Sequence, residues 1–242
     1  MFGFETTIYK GSFYQERKAK TVYAAELMLT MLIEHHQINS MIDFGCGVGT
    51  WLDVAGKLGI KERRGYEGEW AKSLFTNRDL DVRFQNLEEP VKVEEKFDLC
   101  ISLEVAEHLS PAAGYALVRS MCSASSLVMF GAAVPGQGGV GHVNEQPQSY
   151  WSGIFKEFGF SPVDFMRPKI WDDPKIPFWY RQNTLLYTSD ERLKVKLSNL
   201  SSPLIDVIHP KAYNLALSPG IKGSVKAAAS IPSLVFKRYF SK

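Results

Sequence analysis

The spacing of apolar residues divides the chain into helical and extended stretches. Between residues 16 and 36, Val22, Ala25, Leu27, Met28, Met31, Leu32 and Ile33 recur at helical spacing, which predicts a helix with a broad apolar face. Met41, Ile42 and Phe44 then lead, with Asp43 among them, into Gly45-Cys46-Gly47-Val48-Gly49-Thr50, after which Trp51, Leu52, Val54, Ala55 and Leu58 return to helical spacing. This predicts a buried strand, a glycine turn and a helix. Further strands are expected over 62–67, 80–84, 96–103, 125–132, 160–166 and 183–188, with a short helix over 71–77. The run KFDLCISL at 96–103 is almost continuously apolar, as a central parallel strand requires. Ser110 and Pro111 open a helix as N-cap and first-turn residue, and a helix over 149–158 ends at Gly159. Strands alternating with helices predict an α/β fold with a mostly parallel sheet of seven strands and helices on both faces.

The 242 residues, 45% of them apolar, suffice for one large domain or one domain with an appendage. No apolar run resembles a signal peptide or spans a bilayer, and Cys46, Cys100 and Cys122 read as reduced thiols, so a cytoplasmic protein without a disulfide framework is expected. Charge is uneven. Residues 191–242 hold nine Lys and Arg against two acids, leaving nineteen basic and twenty-four acidic residues in the body. A domain over 1–189 and a basic extension over 190–242 are therefore expected. The extension is either a solvated basic face or a contact for an anionic membrane surface or a protein. Pro203, Pro210 and Pro219 predict an extended wrap over 201–223, and the apolar residues between 231 and 240 suit a helix on a membrane, a partner or the domain itself. The acidic body opposes a nucleic-acid partner.

The glycine turn carries the candidate chemistry. A dinucleotide fingerprint reads G-x-G-x-x-G, but here the third glycine comes one residue early. No Lys or Arg lies between Asp43 and Lys57 to offset a phosphate. Asp43 instead suits a ligand with a cationic end. Glu67 follows Gly47 by twenty residues, the spacing at which a carboxylate ending the second strand grips ribose hydroxyls. S-adenosylmethionine (SAM) combines adenosine, ribose and a cationic amino acid tail.

With these residues the chain resembles the class I SAM-dependent methyltransferases, over residues 1–188. The resemblance implies a Rossmann-like sheet whose last strand enters antiparallel. It implies that Asp43, Gly45, Cys46, Gly47 and Gly49 hold the amino acid end of SAM, Glu67 the ribose, and Asn86 and Leu87 the adenine, with Leu103, at the end of a stretch resembling motif IV, also counted among the cofactor residues. A helix before the first strand often covers the pocket in this family, so Tyr9, Phe13 and Tyr14 could line a lid or pack the N-terminus.

Catalytic candidates fall at the ends of the fourth and fifth strands: Glu104, Glu107, His108 and His142. The E-V-A-E-H stretch is similar to a segment of small-molecule methyltransferases, where the histidine serves either packing or proton removal. E-x-x-E-H also resembles the divalent-metal site of ubiquinone-biosynthesis and small-RNA 3′-end methyltransferases, with His142 able to complete it; many relatives with this stretch need no metal, and no metal ligand is assigned. G-H-V-N-E-Q at 141–146, Tyr150-Trp151 and W-Y-R-Q-N at 179–183 resemble bacterial methyltransferases of surface glycans. The expected activity is O-methylation of a small molecule or glycan. N-methylation, a non-catalytic SAM-fold binding subunit and a nicotinamide oxidoreductase remain the alternatives.

Overall fold

The computed structural model describes residues 11–75, 79–198 and 204–217, with side chains described from residue 19 to residue 214 within those ranges. The chain forms two units, Met1–Val207 and Ile208–Lys242.

The first unit is built on one seven-stranded sheet. Its strands are β1 (Ser40–Phe44), β2 (Glu62–Glu67), β3 (Asp81–Phe84), β4 (Leu99–Leu103), β5 (Leu127–Gly131), β6 (Ser161–Val163) and β7 (Leu185–Thr188), in the order β3-β2-β1-β4-β5-β7-β6. The first five run parallel, and β7 inserts antiparallel between β5 and β6. Strand order reverses between β1 and β4, where open α/β sheets leave a crevice at the carboxyl ends of their strands. β1 is buried at all five positions, which explains its apolar sequence and makes Asp43 conspicuous.

Successive strand residues face opposite sides of the sheet. Met41, Ile101, Met129 and Leu186 therefore join one core, and Ile42, Cys100, Val128 and Tyr187 the other. Helices α1 (Gly11–Ile33) and α2 (Thr50–Lys57) pack together, with Met28, Leu29 and Leu52 in the first core. Helices α3 (Pro111–Ala124) and α4 (Gln148–Glu157) cover the second through Leu117, Trp151 and Phe155. Ser110 caps α3 by accepting from the Ala113 N–H at 3.3 Å, with Pro111 at the first turn, and Gly159 takes the left-handed conformation (φ 79°) just beyond α4.

The expected connection over 167–182 folds into α5 (Arg167–Ile170) and α6 (Phe178–Asn183), so the last strand begins at Leu185. Helix α7 (Glu191–Leu197) follows β7. Asp190 caps it by accepting from the Arg192 and Leu193 N–H groups at 2.8 and 3.2 Å, and Leu193 and Leu197 enter the first core. The Arg167 guanidinium, paired with Asp164 at 2.8 Å, donates to the carbonyls of Leu204 and Ile205, so the chain is tied to the sheet unit beyond α7.

Two expectations are corrected. Of the helix expected at 71–77, residues 76 and 77 lie outside the described residues, and the described part holds one 3-10 turn, Glu69–Ala71, because Ala71 alone is buried between 71 and 75 and no apolar face repeats. The extended wrap expected over 201–223 contains α8 (Pro210–Leu217) in the second unit. Proline at a first helical position keeps its fixed φ and sacrifices no hydrogen bond, and His209 Nδ1 accepts from the Lys211 N–H at 3.1 Å. Tyr9 and residues 224–242 lie outside the described residues, as do the side chains of Phe13 and Tyr14.

Candidate active site

The turn after β1 is a left-handed run, with φ 82° at Gly45, 56° at Gly47 and 81° at Gly49, the residue that caps α2. A Cβ at Gly45 would collide with the Val105 side chain, so close approach as well as φ demands glycine there. A Cβ at Gly47 would meet no described atom within 4 Å and would project into open space.

That space is a cleft of about 310 Å³ at the β1/β4 crevice. Asp43, Gly45, Cys46 and Gly47 line it from the strand and turn, and Leu103 from the end of β4. Trp51 and Tyr180 stand edge to face at 5.8 Å on its wall, and Thr21 of α1 joins them. Trp70 and Leu74, both exposed, line it from the segment after β2. Burial, reinforced by the Glu67 charge, pushes the Asp43 carboxyl well above the usual range. A cationic group in the cleft would reverse that penalty. Glu67 accepts from the Gly47 N–H at 2.7 Å through one oxygen and from the Gly68 N–H at 2.8 Å through the other.

Beyond Leu103 the chain enters a cluster of acids and histidines. Glu104 has φ 60°, a left-handed conformation uncommon outside glycine. Its carboxylate accepts from Asn183 Nδ2 at 2.8 Å and Gln137 Nε2 at 2.9 Å. Burial pushes it up to about 7, against those two hydrogen bonds. Glu107 is 1% exposed, and neither of its side-chain oxygens has a hydrogen-bond partner among the described residues. Burial, then the Glu104 charge, pushes it up to about 9. His142 Nε2 lies 4.0 Å from Glu107 Oε1, and the His108 and His142 rings meet edge to face at 4.8 Å. Ligand atoms of Glu107, His108 and His142 lie within 4.8 Å of one another, so a cation could be held there.

Neither a protein-family model nor a curated protein sequence matches the chain. Solved structures do match its architecture. The sugar N-methyltransferase KedS8 from Streptoalloteichus sp ATCC 53650 superposes with a TM-score of 0.54, covering 79% of this chain and 99% of its own at 14% identity. CalS10, an amino pentose methyltransferase from Micromonospora echinaspora solved with SAM, gives 0.53 over 76% of this chain and 99% of its own at 12% identity. Magnesium protoporphyrin IX methyltransferase from Synechocystis PCC 6803, with S-adenosylhomocysteine bound, gives 0.54 over 75% and 89% at 15% identity. The chain has the class I SAM-dependent methyltransferase fold.

Within that methyltransferase fold, the expected residues Asp43, Gly45, Cys46, Gly47 and Leu103 share one cleft, Gly49 caps the helix behind it, and Glu67, outside the lining, holds the lining residue Gly47. Asn86 and Leu87 lie outside the lining. Asn86 is exposed and its Oδ1 accepts from the Glu88 N–H at 3.1 Å, while Leu87 is buried in the second core. Glu104, Glu107, His108 and His142 are brought together as a cluster. The sequence reading did not single out Thr21, Trp51, Trp70, Leu74 and Tyr180 as lining residues, nor Gln137 and Asn183 as partners of Glu104. The amide pair in W-Y-R-Q-N was the available signal for Asn183.

Proposed function

We propose that the protein is a SAM-dependent methyltransferase acting on a hydroxyl of a small molecule or glycan. The observation that carries this reading is the buried Asp43 beside a glycine turn that Glu67 clamps from the end of the next strand. Asp43 pairs with the ammonium of the cofactor, the Gly45–Gly47 backbone lies against its amino acid end, and Glu67 accepts from the ribose with lone pairs left over from its two backbone bonds. When bound, SAM supplies a methyl group already activated on a sulfonium. The chain's own contribution is orientation and proton removal. His142 Nε2, facing Glu107, takes the acceptor proton, and Glu104, which follows the cleft residue Leu103, is steadied by Asn183 and Gln137.

A second reading is favoured by the buried Glu107 carboxyl, whose oxygens meet no well-aligned donor among the described residues. A buried carboxyl that meets only the poorly aligned backbone N–H groups of Glu107 and Ala133 is costly, and a divalent cation held by Glu107, His108 and His142 would remove that cost and lower the pKa of an acceptor hydroxyl. A solved sugar N-methyltransferase and a solved amino pentose methyltransferase of the same fold make an amino sugar the first alternative acceptor.

Calorimetric titration with SAM, S-adenosylhomocysteine and NADH tests the cofactor. Micromolar binding of the first two, weakened at least tenfold in Glu67→Ala, supports the reading; tight NADH binding or no SAM binding overturns it. Turnover of matched hydroxy and amino sugars, before and after chelation, then separates O- from N-methylation and a metal-assisted route from a metal-free one.

A further inference from the structure

We propose that Glu145 is the positioning residue that assembles the loop carrying His142, gathering two backbone amides and one imidazole nitrogen on a single carboxylate so that His142 presents a bare Nε2 to Glu107. The inference deepens the function proposed above and rests on it only for its consequence in turnover.

The loop runs from Ala133 to Gln146, and the Gln146 N–H closes its base by donating to the Ala133 carbonyl at 3.3 Å. Glu145 Oε2 accepts from the Gly136 N–H at 2.8 Å, and Oε1 accepts from both the Gly138 N–H and His142 Nδ1 at 2.8 Å. Gly136, Gly138 and Gly141 take φ between 71° and 85°, the turns that bring those amides inward. A Cβ at Gly139 would run into the His142 ring, so glycine there leaves room for the imidazole. The far side of the loop is pinned to the residue that His142 faces: the Val143 and Asn144 N–H groups donate to the Glu107 carbonyl at 2.9 and 3.0 Å.

Two consequences follow from one carboxylate. An ionised carboxylate can only accept, so the shared hydrogen must reside on His142 Nδ1. In the neutral ring the lone pair is then on Nε2, the atom 4.0 Å from Glu107 Oε1. The second consequence concerns Gln137, which sits between the two glycines whose amides Glu145 holds. Its side chain donates to Glu104 Oε2 at 2.9 Å and accepts from Asn183 Nδ2 at 3.0 Å. Glu145 thus sets His142 against one acid of the pair and Gln137 against the other.

The test is NMR on the full chain without added ligand, labelled with 15N in histidine and glycine. In the wild type, long-range correlations should show the His142 hydrogen on Nδ1 wherever the ring is neutral. Glu145→Ala should move that hydrogen to Nε2 and speed amide exchange of Gly136 and Gly138 at least about tenfold. Glu145→Gln, the milder variant should alanine fail to fold, turns an N–H donor toward one of the two amides and should speed exchange of at least that glycine. Wild-type His142 carrying its hydrogen on Nε2 overturns the proposal, as does unchanged exchange in both variants. Wild-type protein with the expected tautomer that fails to bind SAM overturns the methyltransferase reading and leaves the role of Glu145 standing.

Discussion

Glu67 Oε2 lies 2.7 Å from the backbone nitrogen of Gly47, so the acid ending β2 holds the turn that ends β1. Its other oxygen holds the Gly68 N–H at 2.8 Å. Two backbone amides therefore fix the position of the carboxylate.

That arrangement makes Glu67→Gln more damaging than its size suggests. The amide nitrogen cannot accept from a backbone N–H, so one of the two bonds becomes a donor facing a donor. A hydrogen bond to a charged group contributes about 1.5–3 kcal/mol, so SAM affinity should fall about ten- to a hundredfold. Calorimetry reads this directly, and an affinity within twofold of wild type would refute it.

Left-handed glycines inside and outside the turn do not face the same constraint. Gly45→Ala meets both an unfavourable φ of 82° and the Val105 side chain, whereas Gly59→Ala meets a φ of 92° and open space. The strain alone is worth about 1–2 kcal/mol, and overpacking adds about 1–3 kcal/mol. Urea unfolding should show Gly45→Ala less stable than Gly59→Ala by at least about 1 kcal/mol. Equal losses would mean that Val105 moves aside freely.

The turn was legible because everything it needs is local: a strand, three glycines and an acid on the neighbouring strand at fixed spacing. The sheet was legible for the same reason, since apolar runs and their alternation mark strands without knowledge of their partners. The partners of Glu104 were not. Asn183 comes from 79 residues away and reaches Glu104 because β7 inserts beside β5, a topological event that no local pattern encodes. Gln137 reaches it from a glycine-rich loop whose course depends on Glu145. Trp70, 65% exposed, resembles any surface aromatic until the cleft beside it is seen. The short helix expected at 71–77 is a 3-10 turn in its described part because only one of residues 71–75 is buried and gives a helix nothing to pack against.

Asp43→Asn separates folding from ligand binding. Burial and the nearby Glu67 charge raise the Asp43 carboxyl well above its ordinary range, so the native state binds that proton more tightly than the unfolded chain does. Its contribution to stability is present below the unfolded pKa and is lost as pH rises. Asparagine keeps the shape and has no proton to lose. At mildly alkaline pH the variant should melt no lower than wild type, yet bind SAM at least about tenfold more weakly for want of a partner to the ammonium. A variant that is less stable and binds normally would remove Asp43 from the ligand site and make it a structural acid.

Glu107 gives the widest pH window. Its ordinary value of 4.5 is pushed up to about 9, by burial first and then by the Glu104 charge, with Glu145 adding a little and the backbone N–H groups of Glu107 and Ala133 opposing. Between those values the folded protein holds a proton that the unfolded chain has released, so this group's stabilisation is full below 4.5 and declines as pH rises through about 9. Glu104, pushed up to about 7, adds to the decline in the lower half of the window. Glu107→Gln removes the larger part because an amide cannot ionise. Urea unfolding of wild type and variant at about pH 5, 7 and 9 should show the variant gaining on wild type by a few kcal/mol across the series. Parallel stability curves would mean that Glu107 is already ionised in the folded protein, and a cation found with it by metal analysis of the purified protein would identify what holds it so.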